Sequence, residues 1–346
     1  MAAEDPLRAE LRFDGRVIAV TGAGGGMGRE HARFLAARGA KVVVNDIGSS
    51  TPKGDGSSAA PAEKVVQEIL AAGGEAVVST GSVASFEGAQ SVVDVATTTW
   101  GRLDGILHNA GIARFAPIEE LDLSDYKAVV AVSLDAAVYL TKAAWPIMTA
   151  QGFGKLLYVT SAGGLIGTPH LTAYAVAKSG MIGLMNVVDL EGRPHNIDVN
   201  LLGVSALTRM TSGTFGEGEV AQMTEAWWQK YMRPDLIAPV AAWLLHPDCN
   251  VSRAIYNAGG GHVSRTFLAE TRGFTALDLT PELTRDHQRE IDDETDHRSL
   301  PDVQTFCAGM FDDLVLAGAE PPPGAALPIN YRPEKDLGSL HSPDIA

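Results

Sequence analysis

The sequence predicts an α/β fold, a doubly wound parallel sheet with helices on both faces. Short β-rich runs alternate with helical patterns of about ten to fifteen residues, which is typical of this class. The first run, Arg16–Thr21, leads directly into the glycine-rich segment Gly22–Gly28, and a helical pattern follows. The 346 residues are 45% hydrophobic, as in an ordinary globular protein. These observations favour one large α/β domain.

The individual elements follow from apolar periodicity and from the glycines that interrupt it. Strands are predicted at Arg16–Thr21, Lys41–Asn45, Ala76–Ser79, Leu103–Asn109 and Lys155–Thr160, and helices at Arg29–Arg38, Ala62–Ala72, Ser85–Trp100, Ser124–Ala150 and Thr172–Leu190. The last two helices carry small and aliphatic residues on more than one face. We therefore expect them to be buried or to lie at a subunit interface.

The domain organisation is predicted as a single domain with an irregular, acidic, Pro-containing extension, bounded as 1–12 (arm), 13–265 (domain) and 266–346 (extension). The extension holds sixteen acidic and six basic residues. A threonine cap and a following proline predict a short acidic helix within Thr280–Glu294. The segment Pro301–Ala346 has little periodicity and predicts an extended arm, partly ordered by packing on a neighbouring subunit, or else a disordered tail. The candidate apolar docking patch is Phe306, Met310, Phe311 and Leu314.

Composition and charge argue against several classes of protein. A net charge of −15 is a poor match to nucleic acid or to an anionic membrane. No run approaches twenty uninterrupted apolar residues, so we expect no membrane span. The first residues lack an apolar signal core, and a reduced cytoplasm is the expected location. Cys249 and Cys307 make neither a disulfide framework nor a metal site, and we expect no metal.

The glycine-rich segment Gly22–Gly28 predicts a dinucleotide site. Between a strand and a helix, glycines let the backbone approach a pyrophosphate, which the helix amino terminus then binds. Asp46 ends the second strand, where a carboxylate accepts hydrogen bonds from ribose hydroxyls and repels a 2′-phosphate. The glycine loop itself contains no Arg or Lys, so NAD is favoured over NADP. The alternative for Asp46 is a cap at the end of a strand.

A tyrosine and a lysine four residues apart carry the candidate chemistry. Tyr174 and Lys178 fall in the predicted helix Thr172–Leu190, where this spacing puts both on one face. A phenol has a pKa near ~10, and an ammonium one turn away favours the phenolate, so the pair suits proton transfer. Ser161 follows a predicted strand and is placed to hydrogen-bond the same substrate oxygen. Because such pentapeptides are common on helix surfaces, this interpretation depends on the glycine loop.

In order and spacing, these motifs resemble the short-chain dehydrogenase/reductase family, over roughly Phe13 to Ser264. The resemblance implies a Rossmann fold and an NAD-dependent enzyme. It implies that Tyr174 is the general acid/base, that Lys178 lowers its pKa and holds the nicotinamide ribose, and that Ser161 orients the substrate oxygen. The cofactor-binding residues that it implies are Gly22, Gly26, Met27, Gly28, Asp46, Ser82, Val83, Asn109, Ala110, Gly111, Tyr174, Lys178 and Thr208.

Three positions depart from the family pattern. Ser133 stands where the family usually has an asparagine that completes a water-linked proton relay, and we count it as a candidate catalytic residue. The usual Pro-Gly after the sixth strand is Val204-Ser205, so we expect that loop to approach the nicotinamide differently. The usual Asn-Asn-Ala-Gly begins with His108, which we interpret as structural because it ends a strand beside an intact Asn109.

A further resemblance, to the (3R)-hydroxyacyl-CoA dehydrogenases of the family, rests on the segments Val42–Asp46, Ala62–Val66, Leu190–Arg193 and Ala242–His246. Some of those enzymes accept steroid alcohols. The segment Ser205–Arg233 is predicted either to close over an apolar substrate or to pack its aromatic residues into ordinary core. The phosphates of CoA call for Lys or Arg, and Lys53 is the obvious candidate. A small apolar alcohol or ketone, such as a steroid or alicyclic alcohol, therefore remains an alternative to acyl-CoA.

Two further expectations concern assembly and class. The resemblance implies a homodimer or homotetramer in which the helices Ser124–Ala150 and Thr172–Leu190 pair across a two-fold axis. A non-catalytic NAD-binding sensor or scaffold is the alternative from another class. The departure at Ser133 supports that alternative, and the intact Ser161, Tyr174 and Lys178 oppose it.

Overall fold

The computed structural model describes residues 10–49, 57–208, 216–300 and 303–320. The chain divides into two compact units, Met1–Thr266 and Phe267–Ala346. Lys53, the candidate for binding CoA phosphates, lies outside the described residues.

An eight-stranded sheet forms the centre of the first unit. Its strands are β1 (Val17–Thr21), β2 (Lys41–Asn45), β3 (Glu75–Ser79), β4 (Gly105–His108), β5 (Gly154–Thr160), β6 (Ile197–Val204), β7 (Ile255–Gly259) and β8 (His262–Thr266). They lie in the order β3-β2-β1-β4-β5-β6-β7-β8, and the first seven are parallel. The order reverses between β1 and β4, which is where ligands bind in doubly wound sheets. The predicted fold class is confirmed.

The register of the central strands aligns their carboxyl ends. Thr21 of β1 lies opposite Asn45 of β2 on one side and His108 of β4 on the other. The residues that directly follow these three strands therefore meet at one edge of the sheet.

Strand β8 departs from the predicted all-parallel sheet. It pairs antiparallel with β7 through a tight hairpin. Gly260 and Gly261 have φ values of +57° and +81°, the left-handed backbone that a two-residue hairpin turn requires. The consecutive glycines are the sequence signal for this hairpin.

Helices cover both faces of the sheet. They are α1 (Gly26–Ala37), α2 (Ala60–Ala71), α3 (Phe86–Trp100), α4 (Leu123–Val130), α5 (Ala136–Gln151), α6 (Ala162–Leu165), α7 (Thr172–Gly192), α8 (Glu219–Tyr231) and α9 (Ala238–Leu245). Alternate residues of β2 belong to different hydrophobic clusters: Val42 and Val44 share one with α1, α2 and α9, and Val43 shares the other with α3, α5 and α7. Burial on both faces explains why these strands are apolar at successive positions.

A π-helical turn, Ala131–Asp135, joins α4 to α5 within the predicted helix Ser124–Ala150. The continuous helical segment Leu123–Gln151 is long and apolar enough, by length and composition, to cross a membrane. Its residues Ala136, Leu140 and Ala144 are fully buried in the cluster that includes α3, which accounts for its apolar character. The π-helical turn carries Ser133, a candidate catalytic residue.

The second unit contains more regular structure than predicted. It has an antiparallel strand pair, β9 (Ala269–Thr271) and β10 (His297–Ser299), and the helices α10 (Pro281–Asp286), α11 (Gln288–Ile291) and α12 (Val303–Leu316). The Thr280 hydroxyl caps α10 by accepting from the Leu283 N–H at 3.2 Å, which confirms the predicted helix start.

The prediction of an extended arm from Pro301 is wrong for α12. Asp313 of this helix pairs at 2.6 Å with the buried guanidinium of Arg298, which also lies 3.2 Å from Glu270. An ion pair with a residue of another element adds nothing to the apolar periodicity of the helix. The sequence pattern of α12 therefore did not predict this helix. In the predicted docking patch, Met310 and Phe311 are 43% and 46% exposed. The residues after 320 lie outside the described part of the chain.

His31 of α1 predicts acid sensitivity of the first unit. Its side chain is fully buried, and neither ring nitrogen has a hydrogen-bond partner among the described residues. Burial lowers its pKa to about 4. Because the unfolded chain keeps a histidine pKa near ~6.5, it binds more protons than the folded state between these values, and stability falls as pH drops through this window.

We expect roughly 2 kcal/mol of unfolding free energy to be lost at His31 between pH 7 and pH 5. His31→Leu should raise stability at pH 7, since it removes an unsatisfied buried imidazole, and should flatten the pH dependence. Urea unfolding at both pH values measures this, with the exposed His262→Gln as the matched control. An unchanged pH slope in His31→Leu would contradict it.

Candidate active site

The glycine-rich turn after β1 lets two backbone segments approach closely. Gly22 has a φ of +64°, in the left-handed region. A Cβ atom added to Gly28 would lie 2.1 Å from the Gly22 carbonyl oxygen, which is far inside van der Waals contact. The first turn of α1 can therefore sit against the turn only if residue 28 is glycine.

A cavity of about 430 Å³, which we call the glycine-loop cavity, opens at the carboxyl ends of β1, β2 and β4. The predicted cofactor-binding residues that line it are Gly22, Gly26, Met27, Asp46, Ser82, Val83, Asn109, Ala110, Gly111 and Thr208. Gly28, Tyr174 and Lys178 do not line it. Asn45, Ile47 and Ile112, which the sequence did not single out, do.

The residues around this cavity fit a dinucleotide. Helix α1 begins beside it, and no described side chain caps the helix at Gly25. Its first N–H groups and the positive end of its dipole suit the charge of a pyrophosphate. Asn109, directly after β4, binds the end of β1 and the glycine-rich turn. Its Nδ2 donates to the carbonyl oxygens of Thr21 and Gly22, both at 3.2 Å.

Asp46 both lines the cavity and organises its backbone. Its Oδ2 accepts from the Gly24 N–H at 2.8 Å, and its Oδ1 accepts from the Gly48 N–H at 2.6 Å. Asp46 therefore makes the backbone contacts expected of a cap at the end of a strand. Each carboxylate oxygen keeps a further lone pair for a ribose hydroxyl.

Ser161, Tyr174 and Lys178 meet at the end of β5. Ser161 caps α6, where its Oγ accepts from the Gly163 N–H at 3.2 Å, and its side chain is hydrogen-bonded to Tyr174. Lys178 lies one helical turn after Tyr174 on α7. The Lys178 Nζ lies 5.6 Å from the centroid of the Tyr174 ring and donates to the Val159 carbonyl oxygen at 2.7 Å.

Burial sets the protonation of this pair. It raises the pKa of Tyr174, against a smaller lowering by the hydrogen bond from Ser161, and lowers the pKa of Lys178 to about 8. The lowered phenol pKa that the spacing predicts is thus opposite to the direction in this structure. Loss of solvation outweighs the neighbouring charge because both groups lie inside the protein.

Ser133 is fully buried within the π-helical turn, and its Oγ has no hydrogen-bond partner among the described residues. A methyl group built on Gly111 would lie 3.5 Å from this Oγ and 3.5 Å from the Lys178 Nζ. The hydroxyl of Ser133 and the amine of Lys178 therefore both lie close to Gly111, which is part of the cavity lining.

A second cavity of about 290 Å³, which we call the hairpin cavity, opens beyond the ends of β5, β6 and β7. Its lining is Ala162, Leu165, Ile166, Gly203, Val204, Ser205, Met232, Asn257, Ala258, Gly259, His262 and Thr266. Ala162 directly follows Ser161, so this cavity borders the catalytic candidates. The sequence analysis did not predict that the β7–β8 hairpin lines a cavity. The two glycines at its turn are the sequence signal that could have predicted the hairpin.

The aromatic residues that the structure describes in the segment Ser205–Arg233 do not pack into core. Helix α8, which the structure describes in full, has no buried residue, and Trp227 and Tyr231 are 53% and 44% exposed. The Leu207 N–H donates to the Met232 carbonyl oxygen at 2.8 Å, so the two ends of the segment are held together. Residues 209–215 lie outside the described part of the chain. Closure over a substrate stays a prediction.

Known proteins share this fold over most of the chain. Peroxisomal multifunctional enzyme type 2 of Mus musculus is 35% identical over 91% of this chain, which spans 42% of that enzyme. The full-length peroxisomal multifunctional enzyme type 2 of Drosophila melanogaster matches with a TM-score of 0.71 and 29% identity, over 89% of this chain and 50% of that one. The chain thus spans about half the length of these relatives.

A second similar structure was solved with its ligands. It is a 7α-hydroxysteroid dehydrogenase complexed with NADH and 7-oxo glycochenodeoxycholic acid, with a TM-score of 0.63 and 27% identity, over 72% of this chain and 95% of that one. The short chain dehydrogenase family model matches residues 16–215, more than half of the sequence. With its sheet order, glycine turn and Ser161–Tyr174–Lys178 cluster, the chain belongs to the short-chain dehydrogenases, a family of oxidoreductases.

Proposed function

We propose that this protein is an NAD-dependent dehydrogenase of a secondary alcohol with a bulky apolar substituent. The observation that carries the proposal is the meeting of Ser161, Tyr174 and Lys178 at the end of β5, next to one residue of each cavity lining, Gly111 and Ala162. When bound, the nicotinamide accepts a hydride from the carbinol carbon. The chain's own residues then have to orient the alcohol and remove its proton.

The three side chains divide this work. Ser161 donates a hydrogen bond to the alcohol oxygen and holds it beside the Tyr174 phenol, which exchanges the proton. The Lys178 ammonium, one turn away and out of solvent, stabilises the Tyr174 phenolate that takes up this proton. Glycine-loop N–H groups and Asp46 hold the dinucleotide in place, so the reacting atoms stay oriented.

The hairpin cavity supports an apolar substituent on the substrate. Leu165, Ile166 and Met232 line it, and Met232 can adapt to different shapes. Among the residues described, neither cavity lining includes a Lys or an Arg, which favours an uncharged steroid or alicyclic alcohol. A (3R)-hydroxyacyl-CoA is the second candidate, and the similarity to the peroxisomal multifunctional enzymes supports it.

We also propose that the protein forms a homo-oligomer through α5 and α7. Val138 of α5 and Val176, Val187 and Leu190 of α7 are between 40% and 53% exposed. Apolar side chains aligned on two long helices favour contact with another copy.

The test is NADH formation, followed by absorbance, with steroid alcohols, cyclic alcohols and (3R)-hydroxyacyl-CoA esters as substrates. We expect turnover with at least one class of substrate and a much lower rate with the Tyr174→Phe variant. NAD binding without turnover of any of these substrates by the parent would instead support a non-catalytic NAD-binding sensor or scaffold.

Asp46 should decide between NAD and NADP. Asp46→Asn keeps an oxygen for one backbone N–H but removes the charge that repels a 2′-phosphate. We expect the ratio of the NADH and NADPH dissociation constants to move at least about tenfold towards NADPH. Fluorescence titration measures both constants, and Asp46→Ala, which also removes both backbone contacts, is the comparison. If the ratio in Asp46→Asn equals that of the parent, Asp46 only holds the turn.

A further inference from the structure

The hydrogen bonds around Thr21 determine the tautomer of His108. The Thr21 Oγ1 accepts from the backbone N–H groups of Asn109 and Ala110, both at 3.1 Å. These two bonds use both lone pairs of the hydroxyl. Its own proton must therefore be donated to another group, and the His108 Nδ1 lies 2.9 Å away. The Nδ1 is consequently an acceptor and carries no proton.

The other ring nitrogen of His108 then carries the proton. The Nε2 lies 2.9 Å from the Ser133 carbonyl oxygen, to which it donates. Burial, together with the charge of Lys178, lowers the pKa of His108 to about 3, so the ring is neutral. The imidazole is a rigid bridge between the end of β1 and the π-helical turn.

The residue at the far end of this bridge is Ser133. Carbonyl groups in a π-helical turn leave the regular helical ladder, so an external donor can hold one. His108 holds the Ser133 carbonyl, and the Ser133 hydroxyl lies with the Lys178 Nζ around Gly111. A buried hydroxyl without a described partner calls for a bonding role, and the ammonium of Lys178 has donors beyond the one used by Val159.

We propose that His108 is a positioning residue that, through the Ser133 carbonyl, sets the Ser133 hydroxyl beside Lys178 and so favours the ammonium form that the reaction needs. This inference rests on the proposed function. It replaces the purely structural interpretation of His108. The titratable groups recorded around Lys178 are the Tyr174 phenol on α7 and the His108 imidazole on β4.

Two substitutions separate the two ends of the bridge. His108→Gln can place an amide N–H near the former Nε2 and keep the bond to Ser133, but it loses the acceptor for Thr21. His108→Asn can keep an acceptor for Thr21 but is too short to reach Ser133. Each leaves one buried group unpaired, so both should lower thermal stability by similar amounts.

The catalytic readout should differ between the two variants. We expect His108→Asn to lower kcat about tenfold with little change in the KM for NAD, and His108→Gln to restore most of it. Adding His108→Asn to Ser133→Ala should cause no further loss of kcat, because His108 acts on the reaction only through the Ser133 hydroxyl, which Ser133→Ala has already removed. Equal losses in both histidine variants, or a larger loss in His108→Gln, would overturn the proposal.

A second readout does not depend on turnover. The titration of Lys178, followed by NMR of its side-chain carbon Cε, should have a lower midpoint in His108→Asn and Ser133→Ala than in the parent and His108→Gln. The sign follows because a hydroxyl close to an ammonium can turn its oxygen towards the charge, which favours the charged form. An identical midpoint in all four proteins would overturn the role of His108 even if the parent is an active dehydrogenase. A parent without activity but with the expected midpoints would instead reject the proposed function alone.

Discussion

Tyr174→Phe should reduce kcat for alcohol oxidation by a factor of about 10² to 10⁴, the usual contribution of a positioned acid or base. The substitution removes one oxygen and leaves the ring beside Lys178. Because burial raises the pKa of Tyr174, the phenolate fraction at neutral pH is small, and the parent's oxidation rate should rise with pH. This dependence should disappear in the variant. Stopped-flow absorbance of NADH from pH 6 to 9 measures both effects.

The matched control is Tyr158→Phe. Tyr158 is a fully buried residue of β5 whose hydroxyl is hydrogen-bonded to Thr141, away from Ser161 and Lys178. We expect it to lower stability by about 1 kcal/mol and to leave kcat within about twofold of the parent. If Tyr174→Phe keeps the parent's rate and pH dependence, another group moves the proton.

Gly28→Ala should raise the dissociation constant of NADH by roughly a hundredfold or more, equivalent to about 2.7 kcal/mol. The added methyl group would lie 2.1 Å from the Gly22 carbonyl oxygen and 2.7 Å from the Asn109 Nδ2. Both contacts involve the turn that positions the backbone donors, so α1 and the turn must separate. Fluorescence titration of NADH measures the loss, and thermal unfolding separates it from global destabilisation.

Gly183→Ala provides the control for Gly28→Ala. Gly183 lies within α7, and nothing comes within 4 Å of a methyl group added there. Alanine is the better helix former, so we expect a gain of up to about 1 kcal/mol in stability and unchanged NADH binding. Equal NADH affinity in Gly28→Ala and the parent would mean that the turn relaxes without cost and does not shape the site.

The sequence alone predicted those parts of the site that depend on local patterns. A strand, a glycine turn and a helix in succession place Gly22 and Gly28 at the same edge of the sheet as Asp46, because parallel strands end together. The spacing of Tyr174 and Lys178 puts them on one helix face whatever surrounds the helix. Within these elements the structure agrees to within a few residues.

Other features depend on contacts between distant parts of the chain, and the tertiary structure alone decided them. His108 lies 87 residues from Thr21 and 25 from Ser133, so no local pattern could show that its two nitrogens bridge them. The direction of the Tyr174 pKa depends on burial by several elements, and α12 forms where Asp313 meets Arg298. Periodicity records which face of an element is apolar. Burial and long-range hydrogen bonds, which set protonation, arise only when the elements pack.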